Sequence, residues 1–233
     1  MEKNNLEIKP LSKRLEMVAS FVPRGAKLLD VGSDHAYLPI HLINLGQITE
    51  AIAGEVVKGP YTSALSNVAE SGLADRIQVR LANGLAAFGK KDKVTVITIA
   101  GMGGRLIADI LESGKEKLEN IDRLILQPNN REDDLRRWLQ ANQLKIITET
   151  LLRENGKYYE VLVVEKGHMT LSEKDFRFGP YLRKEGSEVF VEKWRGELDK
   201  LNDALKCIPE NRQQDRSVLL QKIEMIQGVL DVS

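Results

Sequence analysis

The Asn155-Gly156 pair sits between two runs rich in β-branched and aromatic residues, LKIITETLLRE and KYYEVLVVEKG. Both residues tolerate positive φ, so the pair predicts a tight antiparallel hairpin. Upstream, short apolar runs alternate with helical patterns. KLLDV, EAIAGE, IQVRL, VTVITIA and RLILQP read as strands, each leading into a helical or turn segment. The helices expected among them are AYLPIHLINLG, GPYTSALSNVAESG, GGRLIADILESG and a segment over 131–142. Pro39 falls in a first helical turn, where a missing N–H does little harm. A further helix over KRLEMVASFV is expected, capped by Ser12, with Leu15, Val18 and Ala19 inward, and ended by Pro23 and Gly25. Five βα units followed by a hairpin constrain the chain to an α/β fold whose parallel sheet closes with an antiparallel pair.

The texture changes near Gly179. Val191, Trp194, Leu198, Leu201, Leu205 and Ile208 step by three and four, a heptad seam. Pro209-Glu210-Asn211 interrupts it, and Leu219, Ile223, Ile226 and Leu230 resume it. Two antiparallel helices in a coiled-coil-like hairpin are expected, either packed on the α/β body or projecting to grip a large partner. The basic residues Arg183, Lys184, Lys193, Arg195, Lys200, Arg212, Arg216 and Lys222 favour the projecting arm, although acids are interleaved. The expected division is 1–168 for the α/β domain and 169–233 for the hairpin.

Lys+Arg and Asp+Glu are both 34, so a nucleic-acid partner would need a local basic face. The single cysteine, Cys207, excludes an intrachain disulfide framework, fits a reducing cytoplasm and reads as helix filler. MEKNNLEIKP has no apolar leader core, and no 18-residue apolar run occurs, so no membrane is expected. His35, His41 and His168 have no ligand spacing with the cysteine, so no metal is expected. The phosphate-binding G-x-x-x-x-G-K-[ST] and the hydrolase G-x-S-x-G are absent.

Ligands of open α/β sheets bind at the carboxyl ends of strands one and four. Five unusual segments fall at the strand ends. DVGSDHAY gives a tight turn at Gly32, an acid at Asp30 able to accept from a ligand ammonium, then Asp34 and His35 at the next helix start. The alternatives are a plain N-cap for Asp34 and a buried structural hydrogen bond for His35. Glu55 ends strand two, where a carboxylate suits both ribose hydroxyls. Asn83-Gly84 follows strand three, as an adenine reader or an ordinary turn. AGMGG follows strand four, its glycines admitting close backbone approach, with Met102 as a ligand contact or a plug. LQPNN follows strand five and offers the amides of Gln127, Asn129 and Asn130, or a capped turn.

Five parallel strands and a terminal hairpin match the Rossmann-like sheet of class I methyltransferases. Taken together, LSKRLEMVASFVP, LLDVGSDHAYLPIHL, GEVVKGP, RLANGL, TIAGMGG, LILQPN and the helical tail resemble the bacterial tRNA (adenine-22-N1)-methyltransferases over essentially the whole chain. The resemblance implies a class I domain with a C-terminal coiled-coil hairpin. It implies S-adenosyl-L-methionine as cofactor and N1 of a tRNA adenosine as target. It implies that Asp30, Gly32, Ser33, Asp34, Glu55, Asn83, Gly84, Gly101, Met102, Gly103, Gln127 and Pro128 bind the cofactor. Asp34, His35 and Tyr37 would serve the reacting centre. Lys13, Arg14, Lys58 and Arg105 would hold RNA phosphates at the crevice mouth. Glu55 and Asn83 stand where such proteins often carry Asp, and both keep hydrogen-bonding ability. A monomeric cytoplasmic protein with tRNA as partner is expected. The rival readings are a non-catalytic RNA-binding protein with a retained pocket, and a nicotinamide-dependent oxidoreductase, which lacks its G-x-G-x-x-G here.

Overall fold

The computed structural model describes residues 10–231. Residues 1–9, within the segment read above as lacking a leader, and residues 232–233 lie outside the described residues. Helix α1 (Lys13–Ser20) is capped by the Ser12 side chain, which accepts from the Leu15 amide. Strands β1 (Leu28–Val31), β2 (Ala51–Glu55), β3 (Ile77–Leu81), β4 (Val96–Met102) and β5 (Arg123–Pro128) alternate with α2 (Tyr37–Asn44), α3 (Lys58–Glu70), α4 (Gly104–Ser113) and α5 (Glu132–Ala141). β6 (Leu144–Glu154) and β7 (Lys157–Lys166) form the hairpin, with φ of 50° at Asn155 and 74° at Gly156.

The sheet order is β3-β2-β1-β4-β5-β7-β6. β1 to β5 are parallel, and β7 pairs antiparallel with both β5 and β6. β1 therefore lies between β2 and β4, which opens the switch-point crevice at their carboxyl ends. Helices cover both faces, so the central strands are apolar without interruption. On one face Ile107, Leu111, Leu135 and Leu139 pack over Leu29, Ile97 and Leu126. On the other, Val18, Leu38, Leu42, Ala64 and Val68 pack over Leu28, Ala53 and Val96. β4 runs past the predicted end through Gly101, with a register break between Ala100 and Met102.

Two short helices, α6 (Glu173–Phe178) and α7 (Pro180–Glu185), precede the helical hairpin of α8 (Glu188–Cys207) and α9 (Gln213–Leu230). Cys207 is the exposed last residue of α8. At its base the hairpin packs on the α/β body: Phe190, Trp194, Ile226 and Val229 join Phe178, Leu182 and Leu151 of β6 in one apolar cluster. Of the seam positions in α8 only Trp194 is fully enclosed, and Phe190, outside the seam, is buried beside it. Towards the far end Val218 and Leu220 are exposed. Among the described residues no helix is long and apolar enough to cross a membrane.

Candidate active site

The β1 loop is built around a buried acid. Asp30 accepts from the hydroxyls of Ser33 (2.5 Å) and Thr98 (2.6 Å). Burial pushes its pKa up, and the two hydroxyls and the nearby Arg14 charge oppose that shift. Gly32 has φ +64°, and a Cβ there would stand 2.2 Å from the Met102 methyl, so Met102 fills the place of the missing side chain. Asp34, His35 and Ala36 then take φ of 40°, 71° and 58° in succession. A run of left-handed L-residues costs roughly 1–2 kcal/mol per residue and persists only where its surroundings hold it. Two bonds do so here: the Asp34 amide donates to Glu55 Oε1 (2.5 Å), and Asn67 Nδ2 donates to the His35 carbonyl (2.9 Å).

This turn overturns the capping alternative for Asp34. The N-cap of α2 is Ala36, with no side-chain cap. The Asp34 carboxylate is instead 81% exposed, 3.4 Å from His35 Nε2, and the His35 ring stacks on Tyr37 at 5.3 Å. An acid, an imidazole and a phenol thus stand together above the strand ends.

Glu55 is buried, and its pKa is raised, first by burial and also by the acids Asp30 and Asp34. The exposed Val56 and Val57 follow it, and Leu81 is exposed at the end of β3. Sequence reading passed over this apolar rim, which the run GEVV signals only by its position after the acid. Asn83 is exposed and opens a short 3-10 turn at Gly84. Gly84 has φ +51°, and a Cβ would come within 2.8 Å of Ile110, so this glycine serves close packing on α4.

The crevice floor joins β4 to β5. Gln127 is fully buried. Its Oε1 accepts from Arg14 Nη1 (2.6 Å) and the Gly101 amide (3.0 Å), while Nε2 donates to the Pro128 carbonyl (2.8 Å) and Asn129 Oδ1 (3.2 Å). Asn129 donates to the carbonyls of Gly101 and Met102. These amides are therefore engaged in holding the floor. A Cβ on Gly104 would lie 2.2 Å from the Arg131 carbonyl oxygen. That glycine admits protein backbone rather than a ligand, contrary to the expectation for the glycine run.

The site thus offers two buried carboxylates at adjacent strand ends, one half-buried guanidinium and an exposed acid. Carboxylates at the loop would repel a phosphate and attract a cationic, hydroxyl-bearing ligand. No group of His, Cys, Asp and Glu suited to a metal occurs among the described residues.

The sequence model of a family described as tRNA (adenine(22)-N(1))-methyltransferase matches residues 28–228. The chain belongs to this family. A Bacillus subtilis tRNA (adenine(22)-N(1))-methyltransferase is 42% identical over 232 residues, covering 95% of this chain and 97% of that one. A Streptococcus pneumoniae protein solved in complex with S-adenosyl-L-methionine is 63% identical, with a TM-score of 0.90 over 95% of this chain and 100% of its own. An M. capricolum member solved with S-adenosyl-homocysteine is 28% identical, with a TM-score of 0.85 over 95% of this chain and 98% of its own.

The four cations expected to meet RNA differ in their surroundings. Lys13 and Lys58 are exposed, and Arg105 reaches Asp134 at 2.6 Å together with Arg131. Arg14 is half-buried, bonded to Gln127 and set over the Tyr159 ring at 5.7 Å.

Proposed function

We propose that this chain transfers a methyl group from S-adenosyl-L-methionine to N1 of adenosine 22 in tRNA. The observation that carries this reading is the pair of buried carboxylates, Asp30 and Glu55, beside a loop that turns Asp34 outward, in a chain whose residues 28–228 match the family. The cofactor supplies an electrophilic methyl on a sulfonium. N1 of neutral adenine has a lone pair on its Watson–Crick edge. It forms the N–C bond as the C–S bond breaks, with the electron pair left on sulfur and no proton removed first.

Alignment therefore contributes more than a base would, and positioning of this kind can supply several kcal/mol, up to about 7–11. Asp34 lowers the cost of the positive charge that develops on the adenine. His35 and Tyr37, stacked beside it, orient the base. Asp30 faces the cofactor ammonium, with Ser33 fixing its carboxylate. Glu55 takes the ribose, and Asn83 and Gly84 border the adenine. Gly32, Gly101, Met102 and Gly103 shape the floor, which Gln127 and Pro128 close. The target base leaves its stack to reach the site, at a few kcal/mol. Lys13, Lys58 and Arg105 hold phosphates, and the segment 169–233 grips the tRNA against the domain 1–168. The activity belongs to the cytoplasm, where a monomer suffices for this arrangement.

Mass-spectrometric mapping of nucleosides in unmodified tRNA treated with the protein and S-adenosyl-L-methionine tests the reading. N1-methyladenosine at position 22 is the expected product. Cofactor binding with no methylated nucleoside would instead favour a non-catalytic RNA-binding role.

A further inference from the structure

Gly104 packs against protein backbone, and that contact brings two arginines together. Its amide donates to the Asn130 carbonyl (2.8 Å). Its missing Cβ, which would stand 2.2 Å from the Arg131 carbonyl oxygen, lets the start of α5 close onto the start of α4. Arg105 follows Gly104 directly. Arg131 stands opposite with φ of 56°, a left-handed conformation that L-residues disfavour.

Both arginines end on one acid. Arg105 Nε and Arg131 Nε each donate to Asp134 Oδ2 at 2.6 Å. Burial works to raise the Asp134 pKa, and the bonds from Arg131 and Arg105 outweigh it, so the carboxyl titrates below its usual range. Glu132 and Asp133 of the same turn have other cations beside them. Glu132 lies 4.0 Å from Lys193, and Asp133 lines a cleft with Arg137, Arg177 and Lys222. Two guanidiniums on one carboxylate leave one positive charge unbalanced. Each guanidinium is engaged through Nε, so the Nη forks of both have no partner among the described residues. The two side chains are 66% and 47% exposed, so those forks are open to a ligand. Because β1, β2, β4 and β5 are parallel, their carboxyl ends share one edge of the sheet. The arginine pair therefore stands on the same edge as Asp30, Asp34 and Glu55.

We propose that Arg105 and Arg131, held together on Asp134, clamp a single phosphodiester of the tRNA backbone beside the crevice. This rests on the methyltransferase reading above. It adds Arg131 as an RNA contact and Asp134 as the residue that positions the pair. Planar forks match phosphate oxygens two at a time, and a monoanion balances the charge that the pair leaves over.

Fluorescence anisotropy with unmodified tRNA over a range of salt concentrations, together with calorimetry of S-adenosyl-L-methionine, tests the clamp. Both arginine side chains are exposed, so Arg105→Gln and Arg131→Gln should leave the fold intact. Each should weaken tRNA binding about three- to tenfold at low salt. Because the two serve one phosphate, the double variant should lower the salt slope by about 0.7–0.9, the value for one phosphate contact. Cofactor affinity should be unchanged in all three. A slope lowered by about twice that amount would report two separate phosphates and overturn the clamp. Unchanged tRNA affinity in Arg131→Gln would make Arg131 purely structural and overturn it as well. So would a loss of cofactor affinity equal to the loss of tRNA affinity, which would report a displaced crevice floor. Wild type that binds tRNA and methylates none of it sinks the methyltransferase reading, while the same salt slopes still decide the clamp.

Discussion

The backbone amide of Asp34 donates to the Glu55 carboxylate at 2.5 Å, tying the turn after β1 to the end of β2. The bond stabilises a left-handed run that L-residues disfavour, and it presents the Asp34 side chain to the crevice mouth. Glu55→Ala should remove both this support and a ribose contact. Expected are an S-adenosyl-L-methionine affinity reduced more than tenfold by calorimetry and a loss of about 1–3 kcal/mol in urea unfolding, the scale for an unpaired buried group.

Asp34→Asn separates charge from geometry, because Asn also tolerates a left-handed backbone. The side chain is largely exposed, so the melting temperature should stay within a degree or two. Methylation of tRNA should fall by about a hundredfold or more in kcat, the scale of one lost electrostatic contact in a transition state. A wild-type rate in Asp34→Asn would remove Asp34 from the mechanism.

Burial raises the pKa of both Asp30 and Glu55. The folded chain therefore binds protons at pH values where the unfolded chain has released them. The contribution of these groups to stability is greatest below the unfolded pKa and declines as pH rises through the folded values. A cationic ligand demands the ionised forms. Cofactor binding should release protons, and affinity should rise with pH from the acid range towards neutrality. Calorimetry in buffers of different ionisation enthalpy measures the proton release, and a pH-independent affinity would contradict it.

Gly32 and Met102 should behave as a coupled pair. Gly32→Ala places a methyl against the Met102 side chain and strains a φ of +64°, so it should destabilise the fold and weaken cofactor binding. Adding Met102→Ala should recover the steric part but not the backbone part. A double-mutant cycle in urea reads the difference, and strict additivity would show that the contact carries no energy.

Arg136 lies fully buried between Glu149 and Glu160, and Lys193 of α8 also bonds Glu160 (2.6 Å). These cations hold the Glu160 carboxyl down at about 2 despite its burial. Its stabilising contribution is present above the unfolded carboxylate pKa and is lost as pH falls towards 2. Arg136→Met strands two buried acids and should cost about 3–5 kcal/mol in chemical unfolding. Met with Gln at both glutamates should recover much of that loss.

The sequence by itself determined the elements and the strand ends. Apolar period, Pro39, Ser12 and Asn155-Gly156 act within a few residues, so the order of strands and helices could be read locally. Asp30, Gly32 and Glu55 could be placed near the strand ends for the same reason, since each lies within one residue of the end of β1 or β2. Tertiary structure decided how the polar groups are used. Arg14 turns inward because Gln127, 113 residues away, accepts from it. Gln127 and Asn129 hold the floor because β4 passes beside them. Arg136, an ordinary surface residue in sequence, is buried because acids from β6 and β7 and the α6–α7 segment close over it. Phe190 and Val229 enter the hairpin core because that core continues onto Leu151 of the sheet rather than along one heptad seam. Periodicity is a local property, whereas the pairing of a charge or an amide depends on which distant segment the fold brings to it.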